Sequence, residues 1–313
     1  MSLSARLRGE SKGQALPGGV SRICLPNIVL SSADRRRRRY DRTIGNCNAL
    51  LTTVSPRSDN EMRLRIMLTS FLPSCWANTP ERWALVGTVT LAFALLARAL
   101  HGVNRSGAIA GGLACFLLFV CGPAAFAALG ALFVITWIST RLGYRRKLAL
   151  GLAERREGRN AGQILANLSV AALASVAFGA TGRRAFLVAT ATALAEAATD
   201  TVASEIGQYR GSQPRMITDW KHVPAGTDGG ITTAGTVAGV AGGLVVAIVA
   251  VLGGMIHISE VWIPVAAGTA GMLIDSILGA TLQRRGWLSN QSVNFYATLA
   301  AAALAFGMVV LIN

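Results

Sequence analysis

The chain has 313 residues, of which 52% are hydrophobic and only 14% charged, and its mean hydropathy is +0.47. A soluble domain carries about 25% charged residues, so these figures exclude an ordinary soluble enzyme, a disordered chain and a fibrous repeat. The net charge of +15 comes from 30 basic and 15 acidic residues, and roughly half of it lies before Trp83, including the run Arg35 to Arg39. On a membrane protein such an excess sets topology and binds anionic lipid. No aromatic residues interleave with the basic run, so nucleic acid is not an expected partner.

Residues 1–80 are polar, Arg-rich and Ser-containing, with no sustained apolar period. Three readings compete there: a disordered tail on anionic lipid, an organelle transit peptide, or an overlong reading frame with initiation at Met62 or Met67. Asp34, Asp41, Asp59 and Glu61 weigh against a transit peptide. A tail or an overlong frame without a fold is the expectation.

From residue 83 to the C-terminus the chain is a series of apolar stretches, and a helix needs about 20 residues to cross a bilayer. The stretches run over 83–100, 106–120, 123–140, 161–179, 185–206, 231–256, 261–282 and 293–312. The predicted fold is therefore all-α, a polytopic bundle of about seven or eight transmembrane helices. With only 6% aromatic residues and 34 glycines, these helices should pack closely through small side chains. Gly122-Pro123 parts the second and third stretches into either a tight hairpin or one kinked element. The loops 141–159, 208–230 and 284–286 carry the basic residues, which places them in the cytoplasm. Gly182-Arg183-Arg184 is a minor exception on the other side. Eight spans put the N-terminus outside, in conflict with the Arg-rich tail, unless the tail is not real or the second and third stretches do not both cross. A bacterial cytoplasmic membrane is the expected location, with an organelle membrane as the alternative.

Cys24, Cys47, Cys75, Cys115 and Cys121 form no CxxC pair, and their odd number argues against a disulfide framework. His101, His222 and His257 are isolated and read as loop or interfacial residues, not metal ligands.

Chemistry concentrates in the acids. A carboxylate at membrane depth costs about 2.5–3.5 kcal/mol, so Glu196, Asp200, Glu205 and Asp275 need a reason to be there. They suit ion or phosphate handling; the bland alternative is interhelical hydrogen bonding or pairing with Arg. Glu196, Asp200 and Ser204 share a helix face at i, i+4, i+8, and Thr201 and Glu205 form a second row. Carboxylates from two helices, Asp200 and Asp275, can jointly hold Mg²⁺. In the loop that follows, Arg210 and Lys221 offer cations to phosphate. Gly226-Thr227-Asp228-Gly229-Gly230 lets backbone N–H groups approach an anion closely. Asn160, Gln163 and Asn167 fall on one helical face, where they can bind a nucleoside or a neighbouring helix; structural glue is the preferred role. The ladders Gly107/Gly111/Gly112 and Gly235/Gly239/Gly242/Gly243 suit close helix packing, and none matches a Walker or Rossmann pattern.

The segments Gly158 to Gln163 with Ala166-Asn167, Asp200 to Gly207, Val223 to Gly230 and Asp275 to Gln283 resemble an integral membrane family labelled domain of unknown function 92. That family includes transmembrane protein 19 and a plant phytyl-phosphate kinase, and the resemblance covers about residue 83 to the C-terminus. The pattern Asp200-x-x-x-Ser204-x-x-Gly207, a basic residue and then Gly-Thr-x-Gly is also distantly similar to CTP-dependent polyprenol kinases and CDP-lipid synthases. The resemblance implies Asp200 and Asp275 as Mg²⁺ ligands, with Lys221 and the Gly226–Gly230 loop near a triphosphate. Glu205 follows the phytyl-phosphate-kinase pattern rather than that of the wider group. The implied catalytic set is Asp200, Ser204, Glu205, Lys221 and Asp275. Arg210, Asn160, Gln163, Asn167 and the Gly226–Gly230 loop are the expected nucleotide-binding set.

The expected function is transfer of a phosphoryl group from a nucleotide, CTP above others, to an isoprenoid alcohol or isoprenyl monophosphate at the cytoplasmic face. The expected partners are the bilayer, that lipid substrate, the nucleoside triphosphate and Mg²⁺. An ion-coupled transporter is the alternative, since buried acids also mark ion paths, and a non-catalytic membrane protein is a third reading. The sequence fixes neither the chain length of the lipid nor the oligomeric state.

Overall fold

The computed structural model describes residues 79–210 and 213–312, Arg210 by its backbone alone. The readings of the basic tail, of Cys24, Cys47 and Cys75, and of the Arg210 side chain lie outside the described residues. The described part of the chain is helical apart from one two-residue ribbon and its loops.

Helix α1 (Pro80–Ala99) starts where the sequence says a helix should, with Thr79 as cap, Pro80 in the first turn and Glu81 behind it. Asn104 caps α2 (Arg105–Leu118) by accepting from Gly107 N at 2.9 Å. A 3₁₀ turn (Phe119–Cys121) follows, and Gly122, at φ +101°, ends it in a conformation open to glycine. Pro123 then opens α3 (Pro123–Arg141). A short α4 (Tyr144–Ala149) lies in the basic loop. Next come α5 (Ala161–Thr181) and α6 (Arg184–Arg210), then the ribbon of β1 (Arg215–Met216) antiparallel to β2 (Gly230–Ile231). The chain ends in α7 (Thr233–Leu252), α8 (Trp262–Leu278) and α9 (Asn290–Ile312). Between α8 and α9 a π-helical turn covers Gly279–Gln283.

Among the described residues, 7 helices are long and apolar enough to cross a bilayer, while Arg105–Cys121 is shorter. Large apolar side chains such as Leu91, Ile109, Leu173 and Val237 point outward and are exposed, as lipid-facing positions require. The protein is thus a multi-pass helical membrane protein.

Contacts between helix ends show which ends share a face. Trp137 Nε1, late in α3, donates to Leu100 O just past α1 at 3.1 Å. Asn104 N, just before α2, donates to Arg159 O, just before α5, at 3.0 Å. Asn294 in α9 meets Asn167 in α5 at 3.1 Å, and Gly229, ahead of α7, abuts Ala280 after α8. The basic loops 141–159 and 284–286 therefore open on one face, together with the ribbon. Deep in α5, Ser175 Oγ donates to Leu117 O at the far end of α2. The second and third stretches are thus the hairpin and not the kinked element. At the far face, Arg184 pairs with Glu260, which neutralises one of the two charges that broke the loop pattern.

The central helix is α6, buried on nearly all sides and packed against α3, α5, α7, α8 and α9. Its seam with α7 is built on absent side chains. A Cβ on Gly235 would stand 2.5 Å from Ala203 O, and one on Gly239 would stand 2.5 Å from Thr199 O. The ladder Gly235/Gly239/Gly242/Gly243 is therefore a packing surface, as expected. Since the obstruction at Gly239 is backbone, Gly239→Ala should cost about 1–3 kcal/mol through overpacking. Thermal unfolding in detergent or nanodiscs reads that loss, and an unchanged unfolding temperature would refute the seam.

Candidate functional site

A polar cavity of about 310 Å³ opens on the face of the basic loops. It lies between the last turns of α6 and α8, the first turns of α5 and α9, and the 225–232 segment. Each of these helices brings its polar end there, because the apolar middle of each belongs to lipid or to the core.

From α6 come Asp200, Thr201, Ser204 and Glu205, and from α8 and its π turn come Asp275, Ser276 and Gln283. The period of α6 puts Glu196 a turn deeper, sealed from solvent, where Thr298 Oγ1 donates to its Oε2 at 2.6 Å. Gly271 makes room for it, since a Cβ there would stand 2.6 Å from Glu196 Cγ. Glu196 is thereby committed inside the protein, whereas Asp200 faces the cavity with no hydrogen bond from a described residue. The Arg159 guanidinium and the Glu196 and Asp275 carboxyls all stand within electrostatic reach of Asp200, and Asp228 within reach of Asp275. In the orientation its neighbours satisfy, the Asn294 amide nitrogen donates to Asp275 Oδ2 at 3.2 Å and to Asn290 O at 2.9 Å.

Glu205, also on the cavity wall, is held from behind. It pairs with Lys147 of α4 and accepts from Thr140 Oγ1 at 3.2 Å. The Lys147 side chain is sealed from solvent, and its ammonium also donates to Thr140 O at 2.8 Å and Ser139 O at 3.1 Å.

The loop after α6 is folded. Ile217 N donates to Gly229 O at 3.0 Å and Val223 N to Pro214 O at 2.9 Å, so the ribbon closes residues 214–231 over the cavity. Gly229, at φ +80°, presses onto Ala280 of the π turn, where a Cβ would stand 2.6 Å from the Ala280 Cα. Gly226, Thr227, Asp228, Gly229 and Gly230 all line the cavity. Thr232 caps α7 by accepting from Gly235 N at 3.0 Å. Partial desolvation raises the Asp228 carboxyl above its ordinary value, with Arg284 opposing.

Asp200, Ser204, Glu205, Asp275, Gln163, Asn167 and the Gly226–Gly230 loop therefore all line this one cavity. Two expected residues do not join them. The Lys221 side chain is 81% exposed and pairs with Asp219 at 3.1 Å, because the turn at Trp220, φ +58°, aims this tip of the loop away from the cavity. Asn160 caps α5 in a capping box with Gln163 and is not on the wall. The Gln163 amide in turn donates to Glu154 Oε2 at 3.1 Å, so this carboxamide pair is chiefly glue. Lys147, Glu154, Arg159 and Asn294 were not singled out from the sequence as site residues. Only Arg159 had a signal there, lying inside the stretch Gly158 to Gln163 that carries part of the family resemblance.

The donor set suits a hard cation: two carboxylates from two helices, with hydroxyl and carboxamide oxygens beside them. Among the described residues no group of three or more His, Cys, Asp or Glu is placed to hold a metal ion. Asp200 and Asp275 are a pair, and a pair of carboxylates holds Mg²⁺ only where phosphate and water oxygens complete its shell.

A helical membrane bundle with an acid-lined polar cavity under a glycine-rich flap is the class that fold and site define. Residues 88–302 match the family described as integral membrane protein DUF92, and the chain belongs to it. It is 33% identical over 203 residues to an uncharacterised membrane protein of Synechocystis, covering 61% of this chain and 79% of that one. An uncharacterised membrane protein of Methanocaldococcus jannaschii is 33% identical over 208 residues, 66% of this chain and 85% of its own. The chloroplastic protein VTE6 of Arabidopsis thaliana is 34% identical over 186 residues, 55% of each chain. No solved structure matches the chain.

Proposed function

We propose that the chain is a membrane phosphotransferase that moves the γ-phosphoryl group of a nucleoside triphosphate, CTP above others, onto an isoprenoid alcohol or monophosphate. The observation that carries this reading is the convergence of Asp200 and Asp275 with the Gly226–Gly230 loop on one polar cavity at a membrane face. The family resemblance to a plant phytyl-phosphate kinase supports the same class.

In the transfer, an acceptor oxygen attacks the γ-phosphorus, the bond to the β-bridging oxygen breaks, and the nucleoside diphosphate leaves with that electron pair. Phosphoryl transfer asks the protein for positioning and charge neutralisation more than for covalent chemistry. Asp200 and Asp275 would hold Mg²⁺, and the ion would neutralise phosphate charge. The N–H groups of the flap and the first turn of α7 would face the phosphates. Asn294 orients Asp275, and Lys147 with Thr140 orients Glu205. A monophosphate acceptor brings an oxygen that is already deprotonated, which suits a site whose carboxylates are committed to a metal.

The test is radiolabelled CTP or ATP with phytyl or geranylgeranyl phosphate in membranes; no diphosphate product with any nucleotide would defeat the reading. Mg²⁺-CTP should also protect the purified protein from heat. At a hundredfold excess over the dissociation constant the gain is about 2.7 kcal/mol, and neither CTP with chelator nor Mg²⁺ alone should match it.

A further inference from the structure

Beside the polar cavity lies a second, larger one of about 530 Å³, bounded by α1, α2, α3 and the start of α5. Its interior is apolar, walled by Phe93, Ala97, Gly111, Leu129, Phe133 and Leu168. The space exists because α2 leans on α1 and α5 and touches α3 little, while its cavity side carries only Gly107, Ala108, Gly111 and Gly112. The rim is of opposite character: His101, Arg141, Arg155, Arg156 and Arg159 stand at the mouth, on the face of the basic loops.

The two cavities are not independent. Glu154, Arg159 and Asn167 line both. Arg159 is fixed at the boundary by its backbone: its N–H donates to Gly102 O at 3.1 Å and its carbonyl accepts from Asn104 N at 3.0 Å. Glycine at 107 permits this approach, since a Cβ there would stand 2.2 Å from Arg159 O. Its guanidinium is mostly buried and lies 3.9 Å from Glu154, too far for a closed bidentate pair.

We infer that the apolar cavity receives the hydrocarbon tail of an isoprenyl monophosphate whose phosphate is met by Arg159 at the junction. This rests on the phosphotransferase reading and adds where the tail and the phosphate of its acceptor sit. An apolar shaft with a cationic mouth selects an anionic amphiphile, and a volume of this order lies within the ~300–1,000 Å³ typical of small-molecule sites. The junction puts the phosphate on the edge of the cavity that holds Asp200 and Asp275. A planar guanidinium suits recognition of phosphate oxygens. An alcohol of the same chain gives Arg159 no charge to meet and should bind there more weakly.

The experiment uses the full chain in phospholipid nanodiscs and a geranylgeranyl monophosphate bearing a diazirine on its tail, without nucleotide. Photolabel should fall on peptides of α1, α2 and α3. Unlabelled geranylgeranyl monophosphate should displace it, and equal concentrations of geranylgeraniol or phosphatidic acid should not. Arg159→Gln should weaken binding about tenfold or more, and Arg159→Lys should recover part of the loss. Gly111→Leu should also lower labelling by filling the shaft: a Cβ at Gly111 meets only Ile164 Cγ2, at 3.8 Å, so the helix tolerates it. Unfolding temperatures of all variants check that they are folded. Label spread over the outer helix faces, or equal displacement by phosphatidic acid, would overturn the proposal by making the occupant bulk lipid. The two readings fail separately. Labelling as expected without turnover by any nucleotide sinks the phosphotransferase alone, whereas turnover with label elsewhere sinks the tail site alone.

Discussion

Asp200→Asn should yield a protein that inserts, folds and retains its unfolding temperature, yet turns over at least about a hundredfold more slowly, a loss of roughly 3 kcal/mol of transition-state stabilisation. The reason lies in what surrounds the carboxylate. It stands on the cavity wall with no hydrogen bond from a described residue, so no structural bond is lost with the charge. Removing a charge at membrane depth also lowers the cost of insertion. Asp275→Asn should behave alike, since Asn at 275 can still meet the Asn294 amide. The double variant should be little worse than either single one, because both carboxylates serve one ion. Glu196→Gln is the contrast, a position sealed against Thr298 and Gly271, whose effect should appear in stability before turnover. Normal turnover by a folded Asp200→Asn protein would defeat the metal site. A loss of unfolding temperature with intact activity per folded molecule would make Asp200 structural.

The helices were legible because a run of about 20 apolar residues leaves the backbone no other way to satisfy its hydrogen bonds in lipid. The short second helix was legible in outline too, since Gly122-Pro123 stops one helix and starts another. The site was half legible. Asp200 and Ser204 share a face by the helical period alone, and Asp275 stood out as a charge in an apolar run. What failed was the reading of polar side chains whose partners are close in sequence. Lys221 looked like a phosphate ligand beside a glycine loop, but Asp219, two residues back, takes its ammonium. For Asn160 and Gln163 the preferred role, structural glue, holds, but its form was missed: Asn at the first position and Gln three residues on is the signature of a capping box. Partners distant in sequence left no trace at all. Nothing in the basic run Arg145-Arg146-Lys147 marks its last member as the buried one that meets Glu205 from 58 positions away. Arg159 showed only as loop charge and as part of the Gly158–Gln163 stretch, because its place between two cavities follows from backbone pairing with Gly102 and Asn104.

That buried lysine gives the other large expected effect. Lys147→Met keeps the length and the apolar stem but leaves Glu205 facing Thr140 Oγ1 alone. Losing one partner of a buried ion pair costs about 3–5 kcal/mol. Here the lower end, about 3 kcal/mol, is expected, because Glu205 lines the polar cavity and water there can rehydrate part of its charge. Glu205→Gln strands the opposite charge. It leaves an ammonium with two carbonyl oxygens, Thr140 O and Ser139 O, and no counter-charge, in a position sealed from solvent, so it should be at least as damaging. The double variant Lys147→Met, Glu205→Gln buries no charge and should recover most of the loss, as neutral replacements of buried pairs do. Thermal unfolding of the four proteins at one scan rate closes the cycle, and a coupling near zero would show that the pair is not formed. Activity separates positioning from stability. If Lys147 serves to aim Glu205 into the cavity, Lys147→Met loses turnover per folded molecule as well as stability. If the pair is only a clamp between α4 and α6, turnover per folded molecule is unchanged.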